Sequence, residues 1–79
     1  MPKVFEQNGY AFSFYSGDLS EPAHVHVRKE GKEGKFWVDP ISLATAGRFN
    51  DKELNQIERI LEKRVGEILT AWRRESGKR

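Results

Sequence analysis

The chain has 79 residues, which is enough for one small domain with a single core of modest stability. Charged residues make up 33% of it and apolar residues 37%, a composition that favours a globular fold over disorder. The absence of cysteine excludes a disulfide framework and thiolate metal sites. There is no apolar run of ~18 or more residues and no apolar signal-peptide region, so we expect a cytoplasmic protein with no membrane span.

The net charge of +2 is too small to predict a nucleic-acid partner by itself. Basic residues are concentrated in the second half of the chain, which ends in a basic tail at residues 76–79. Such a tail is typical of a solvated chain end, and an anion-binding patch is the less common alternative.

The first predicted element is a β-hairpin. Asn8-Gly9 separates two alternating segments, residues 3–7 and 10–15, and tolerates the positive φ angles of a type I′ turn. A two-residue loop places Gln7 opposite Tyr10 and Phe5 opposite Phe12. The aromatic face of this hairpin is predicted to be core, and its members are Phe5, Tyr10, Phe12 and Phe14.

Residues 21–29, Glu-Pro-Ala-His-Val-His-Val-Arg-Lys, predict the third strand. Side chains alternate across a strand, so His24, His26 and Arg28 point to one face while Val25 and Val27 point to the other. Both histidines of the protein lie on this strand.

The polar segment 29–34 predicts a hairpin tip, and residues 35–39 alternate as a fourth strand. If the valines share the core face with Phe36 and Val38, two registers satisfy the alternation. One places Arg28 opposite Lys35, His26 opposite Trp37 and His24 opposite Asp39. The other places His26 opposite Asp39.

Residues 40–49 are predicted to be a connector whose Leu43, Ala44 and Phe49 cover an edge of the core. Asn50-Asp51-Lys52-Glu53 is a capping-box pattern that begins a helix over residues 50–75. Gly66 within the helix predicts a close approach of helix and sheet. The apolar positions recur every three or four residues, at Leu54, Ile57, Leu61, Val65, Ile68 and Trp72.

The predicted fold is therefore α+β: a four-stranded antiparallel meander over residues 3–39 with one long C-terminal helix packed on one face. The whole chain, residues 1–79, is expected to form one domain. Such a sheet leaves its second face to water or to a partner.

On that second face, His24 and His26 are candidates for general acid–base catalysis on a phosphodiester. Imidazole titrates near physiological pH, and Asp39 would fix the tautomer of one ring. Binding of RNA without cleavage requires fewer specialised groups. Arg28 and Lys35 would contact phosphates, and Trp37 and Tyr15 would serve as stacking platforms for bases. These residue types do not decide whether the protein is an enzyme.

Three other interpretations remain open. The face is an ordinary exposed strand surface, or it is a protein interface built on tryptophan, tyrosine and arginine. The His-x-His pair is also typical of a metal site, with a carboxylate from Asp18, Glu21 or Asp39 as third ligand. Because no third histidine and no cysteine exist, we predict neither a metal site nor a cofactor.

Three motifs resemble a family of small bacterial proteins catalogued as domain of unknown function 4160. They are Gly-Tyr-x-Phe-x-Phe-Tyr-Ser at 9–16, Glu-Pro-Ala-His-Val-His-Val at 21–27 and Lys-Phe-Trp-Val-Asp-Pro at 35–40. The resemblance extends through the helix to near Trp72, although the family commonly has Pro-Pro in place of Pro22-Ala23.

The resemblance implies a two-gene module of the toxin–antitoxin kind, with a small protein partner from a neighbouring gene and RNA as a target. It identifies no catalytic residue.

Overall fold

The computed structural model describes residues 3–14 and 21–76. Five strands form one antiparallel sheet in which each strand pairs with the next one in the chain, and a helix follows. This confirms the α+β architecture, with five strands where four are predicted. The elements are β1 (Lys3–Gln7), β2 (Tyr10–Ser13), β3 (His24–Lys29), β4 (Lys32–Val38), β5 (Ile41–Thr45) and α1 (Asp51–Ser76).

The first hairpin has the predicted register. Gln7 pairs with Tyr10 and Phe5 with Phe12, and the turn residues Asn8 and Gly9 have φ angles of 55° and 83°. The Phe5 and Phe12 rings stack with their centroids 4.6 Å apart. The local signal of Asn-Gly between alternating segments was sufficient here because a two-residue loop leaves a single register.

The second hairpin has a shorter tip than predicted, and both predicted registers are wrong. Glu30 and Gly31, with φ angles of 52° and 81°, form a two-residue turn. As a result His24 pairs with Trp37, His26 with Lys35, and Arg28 with Glu33.

Gly34, predicted to lie in the hairpin tip, lies within β4 and pairs with Val27. A Cβ atom at Gly34 would lie 3.0 Å from the carbonyl oxygen of Thr45 and 3.2 Å from Cδ2 of Phe49. The glycine thus permits residues 45–49 to approach β4 closely.

The fifth strand lies in the segment predicted to be a connector. After a turn that contains the cis Asp39–Pro40 bond, residues 41–45 pair with β4. Phe49 is buried, as expected for a residue that covers the core, whereas Leu43 is 47% exposed. The edge of the core is therefore covered by a strand.

Helix α1 covers one face of the sheet and completes the core. The phenol of Tyr10 donates a hydrogen bond of 2.8 Å to Oε1 of Gln56, and burial raises its pKa. The helix stripe, the aromatic face of the first hairpin, the inward-facing residues of β3 and β4, and Phe49 supply the buried cluster: Phe5, Tyr10, Phe12, Val25, Val27, Phe36, Val38, Phe49, Ile57, Ile60, Leu61 and Ile68. Among the described residues, no helix has both the length and the apolar character needed to cross a bilayer.

Helix α1 contacts β1 through Arg64, the residue at which the helix departs from regular geometry. Arg64 has non-helical dihedral angles, φ −124° and ψ 16°. Its guanidinium carbon lies 3.7 Å from the Phe5 ring centroid, and its Nη1 donates a 3.0 Å hydrogen bond to Oε1 of Gln7. Two further hydrogen bonds, each of 2.8 Å, join it to Glu67, and they raise the pKa of Arg64 and lower that of Glu67.

The N-terminus of α1 has the predicted capping box. The Glu53 amide donates to Oδ1 of Asn50 at 2.8 Å, and the Asn50 amide donates to Oε1 of Glu53 at 3.0 Å. Nζ of Lys32 donates to Oε2 of Glu53, also at 2.8 Å. The hydrogen bonds from Lys32 and Asn50 hold the pKa of the Glu53 carboxyl below its ordinary value of 4.5.

A stability loss in acid is expected from this carboxylate. Because its pKa is lowered by folding, the stability it contributes is present above pH 4.5 and is lost as the pH falls through the lowered pKa. Urea unfolding between pH 3 and 6, taken here as a rough window, should show a smaller pH slope for Glu53→Gln than for the wild type. Glu62→Gln, at an exposed position, is the control and should keep the wild-type slope. Equal slopes for wild type and Glu53→Gln would contradict the assignment.

Candidate functional site

Five of the side chains on the sheet face opposite the helix form the set that we call the open face: His26, Arg28, Glu33, Lys35 and Trp37. They lie on β3 and β4 at positions that alternate with the buried Val25, Val27 and Phe36. The structure thus brings together four of the predicted site residues. Tyr15 and Asp18 lie outside the described residues.

His24 is buried, in contrast to the expected exposed position. Its ring centroid lies 5.2 Å from that of Trp72, 5.5 Å from Trp37 and 5.3 Å from His26. Because His24 begins β3, at the end of the sheet, Trp72 near the C-terminus of the helix reaches it. A contact between residues so far apart in the chain leaves no local signal.

The backbone carbonyl of Pro22 determines the tautomer of neutral His24. Nδ1 lies 2.9 Å from the carbonyl oxygen of Pro22, and a carbonyl only accepts, so Nδ1 carries the hydrogen. The carboxylate Oε1 of Glu21 lies 3.9 Å from the same nitrogen. These contacts orient the ring within the protein.

His26 is the more accessible histidine, with 14% of its side chain exposed. Oε2 of Glu33 lies 3.3 Å from its Nδ1, and Oε1 of the same carboxylate lies 3.4 Å from Nε of Arg28. Glu33 therefore bridges the imidazole and the guanidinium. Sequence reasoning missed Glu33 because it placed this residue in the hairpin tip; treating Glu30-Gly31 as a two-residue turn would have found it.

Lys35 connects the tryptophan to a second carboxylate. Its Nζ lies 4.6 Å from the Trp37 ring centroid, which is a cation–π contact. The same ammonium donates a 3.1 Å hydrogen bond to Oε1 of Glu21. The indole is therefore held in place on one side by a cation that is itself paired.

Asp39 does not lie opposite a histidine. It is exposed in the turn after β4, and no hydrogen bond or ion pair joins it to another described residue. With Trp37 it borders a shallow pocket of about 180 Å³, whose lining is completed by Pro22, Ala23, Pro40 and Ser42.

The described residues contain no group of three histidine, aspartate or glutamate side chains placed to hold a metal ion. One ring nitrogen of His24 is already directed at a backbone carbonyl. Within residues 3–14 and 21–76, the His-x-His pair therefore has no third ligand placed to complete a metal site.

The burial of His24 argues against a proton relay between the two imidazoles. A relay between two imidazoles requires both rings to reach the substrate, and His24 is enclosed. The cations Arg28 and Lys35 are each paired with a carboxylate. The exposed part of the face consists of the Trp37 indole, a small part of His26 and paired charges.

Comparison with known proteins identifies the family alone. Neither a curated protein nor a solved structure matches the chain. A family model described as domain of unknown function (DUF4160) matches residues 9–73, a range that includes both histidines, the open face and Trp72. The chain therefore belongs to the DUF4160 family of domains of unknown function.

Proposed function

We propose that this protein is the partner-binding component of a two-protein module of the toxin–antitoxin kind, acting in the cytoplasm through its open face. The observation that carries the proposal is the setting of Trp37. Its indole is half-buried, contacts the Lys35 ammonium, and borders a pocket between two prolines.

Such a setting is typical of a protein interface. Tryptophan and arginine are enriched among the residues that carry most of the binding energy, and rigid rings lose little entropy on binding. Because Arg28 and Lys35 already have carboxylate partners, a protein that covers the face leaves neither cation without a counter-charge.

The protein encoded beside this chain should co-elute with it in size-exclusion chromatography, and Trp37→Ala should abolish that co-elution. Lys63→Ala, on the exposed surface of the helix, is the matched control and should leave the complex intact. A complex that survives Trp37→Ala would count against the open face, and no complex at all would reject the two-protein module.

The second candidate is binding of RNA by the same module. It is favoured by the Lys35 ammonium over the Trp37 ring and by His26 and Arg28 on the same face, since cations and stacking platforms together suit single strands. It ranks lower because phosphates must displace Glu21 and Glu33 from those cations. Titration with a single-stranded RNA should shift the amide signals of residues 24–29 and 35–37 at low salt; a flat response removes this candidate.

A further inference from the structure

Strand β5 is an edge of the sheet that lacks one common protection, charged side chains. In the part of the chain that the structure describes, no strand pairs with its outer side. The opposite edge, β1, carries the Lys3–Glu6 ion pair, whereas β5 has no charged residue. Natural sheets commonly place charges on edge strands to prevent pairing with another chain. The lack of charge leaves residues 41–43, the part of the edge before its bulge, open to strand addition.

The regular part of this edge is short. One extra residue of β5 lies between the pairs Lys35–Thr45 and Phe36–Leu43, so Ala44 forms a bulge. Residues 41–43 keep a regular register with β4. An added strand would pair along these residues.

A pocket lies beside β5 on the helix side of the sheet. Leu43 pairs with Phe36, so its side chain faces the helix, and it is 47% exposed. The pocket has a volume of about 400 Å³ and is lined by Phe36, Leu43, Asp51, Leu54, Asn55 and Glu58. The helical residues are spaced by three and four positions, and they form one side of a groove between α1 and β5.

A second pocket lies beside the same strand on the other face. Ser42 pairs with Trp37, and both residues line the pocket of about 180 Å³ that Pro22 and Pro40 flank. The edge of β5 is thus bordered by one pocket on each face of the sheet. Successive side chains of a strand point to opposite faces, so one extended segment can fill both.

Among the described residues, the charged side chains that line the two pockets are acidic. Asp51 and Glu58 line the helix-side pocket, Asp39 lines the other, and none of the described lysines or arginines contributes to either lining. All three carboxylates are exposed. A partner segment that carries lysine or arginine next to its apolar residues complements them.

We propose that β5 accepts an extended, basic segment of a partner protein as a sixth strand, with alternate apolar side chains in the two pockets. The backbone hydrogen bonds of the edge supply affinity and the pockets supply specificity. This inference rests on the proposed protein-binding function and names the chemistry of the partner.

The test uses a random nonapeptide library displayed on phage and the purified protein. We expect enrichment of peptides with apolar residues at alternate positions and adjacent lysine or arginine. The best peptide, labelled with a fluorophore, should bind Leu43→Lys and Glu58→Lys at least about tenfold more weakly than wild type. The matched control Glu6→Lys, on the β1 edge, should bind as wild type does. Methylation of alternate backbone amides of the peptide should abolish binding.

Several results would overturn the inference: no enrichment, equal affinity for Leu43→Lys, or amide shifts that map away from residues 41–45 and 51–58. A dimer of the protein that Leu43→Lys disrupts would assign the edge to a second copy instead. The library experiment does not require the protein from the neighbouring gene. If the library yields no enriched peptide while the Trp37-dependent complex still forms, strand addition is rejected and the proposed function stands. Glu58→Lys keeps the test decisive if Leu43→Lys fails to fold.

Discussion

Trp72→Ala is expected to lower the free energy of unfolding by about 3–5 kcal/mol, the usual cost of truncating a buried aromatic residue. Trp72 is 8% exposed, and its ring centroid lies 5.1 Å from that of Phe14 and 5.2 Å from that of His24. Its loss leaves a cavity between the end of the helix and the start of β3. Urea unfolding followed by circular dichroism measures the change.

The same truncation at Trp37 is the control. Trp37 is partly exposed and contacts Lys35 at the surface, so Trp37→Ala should lose less than half as much stability while abolishing partner binding. The two tryptophans therefore separate a structural role from a binding role. Similar losses of stability for both variants would contradict this division.

Gly47→Ala is expected to destabilise the protein by more than about 2 kcal/mol. Gly47 has φ +62°, a conformation that favours glycine, and a Cβ atom there would overlap the carbonyl oxygen of Glu33. The overlapping atom belongs to the backbone of β4, so it cannot move without disturbing the pairing of that strand. Thermal unfolding should detect the loss directly.

Gly66→Ala is the matched substitution, and it is expected to raise the stability of the protein. No heavy atom lies within 4 Å of a Cβ built at Gly66, so the glycine is not needed for a close approach of helix and sheet. Alanine should stabilise α1 by about 0.5–1 kcal/mol. Destabilisation by Gly66→Ala, or tolerance of Gly47→Ala, would show that the backbone at that position differs from the one described.

Local signals were sufficient wherever neighbouring residues decide the conformation. The Asn8-Gly9 turn, the aromatic face of the first hairpin and the Asn50–Glu53 capping box depend on short spacings, and all three are confirmed. The alternation of Val25 and Val27 with the histidines likewise placed most of the open face correctly. These features need no knowledge of the rest of the chain.

Most other errors arise where residues distant in the chain determine the structure. Gly34 pairs with Val27 and lies beneath Phe49, and β5 forms where β4 offers it a partner. His24 is buried because Trp72 covers it. The register error moved Glu33 out of the predicted site and Asp39 into it, so one misplaced turn changed the proposed chemistry of the face.

The position of the helix in the chain has a consequence for protein synthesis. All five strands precede α1, so the ribosome makes the strands before it makes the helix that covers them. At translation rates of roughly 5–20 residues per second, the 26 residues of α1 take about 1–5 s to add. Until α1 has been added, the aromatic residues of the first hairpin have no helix to cover them. Slower translation of α1 should therefore lengthen the time during which those residues are open to aggregation and to chaperones.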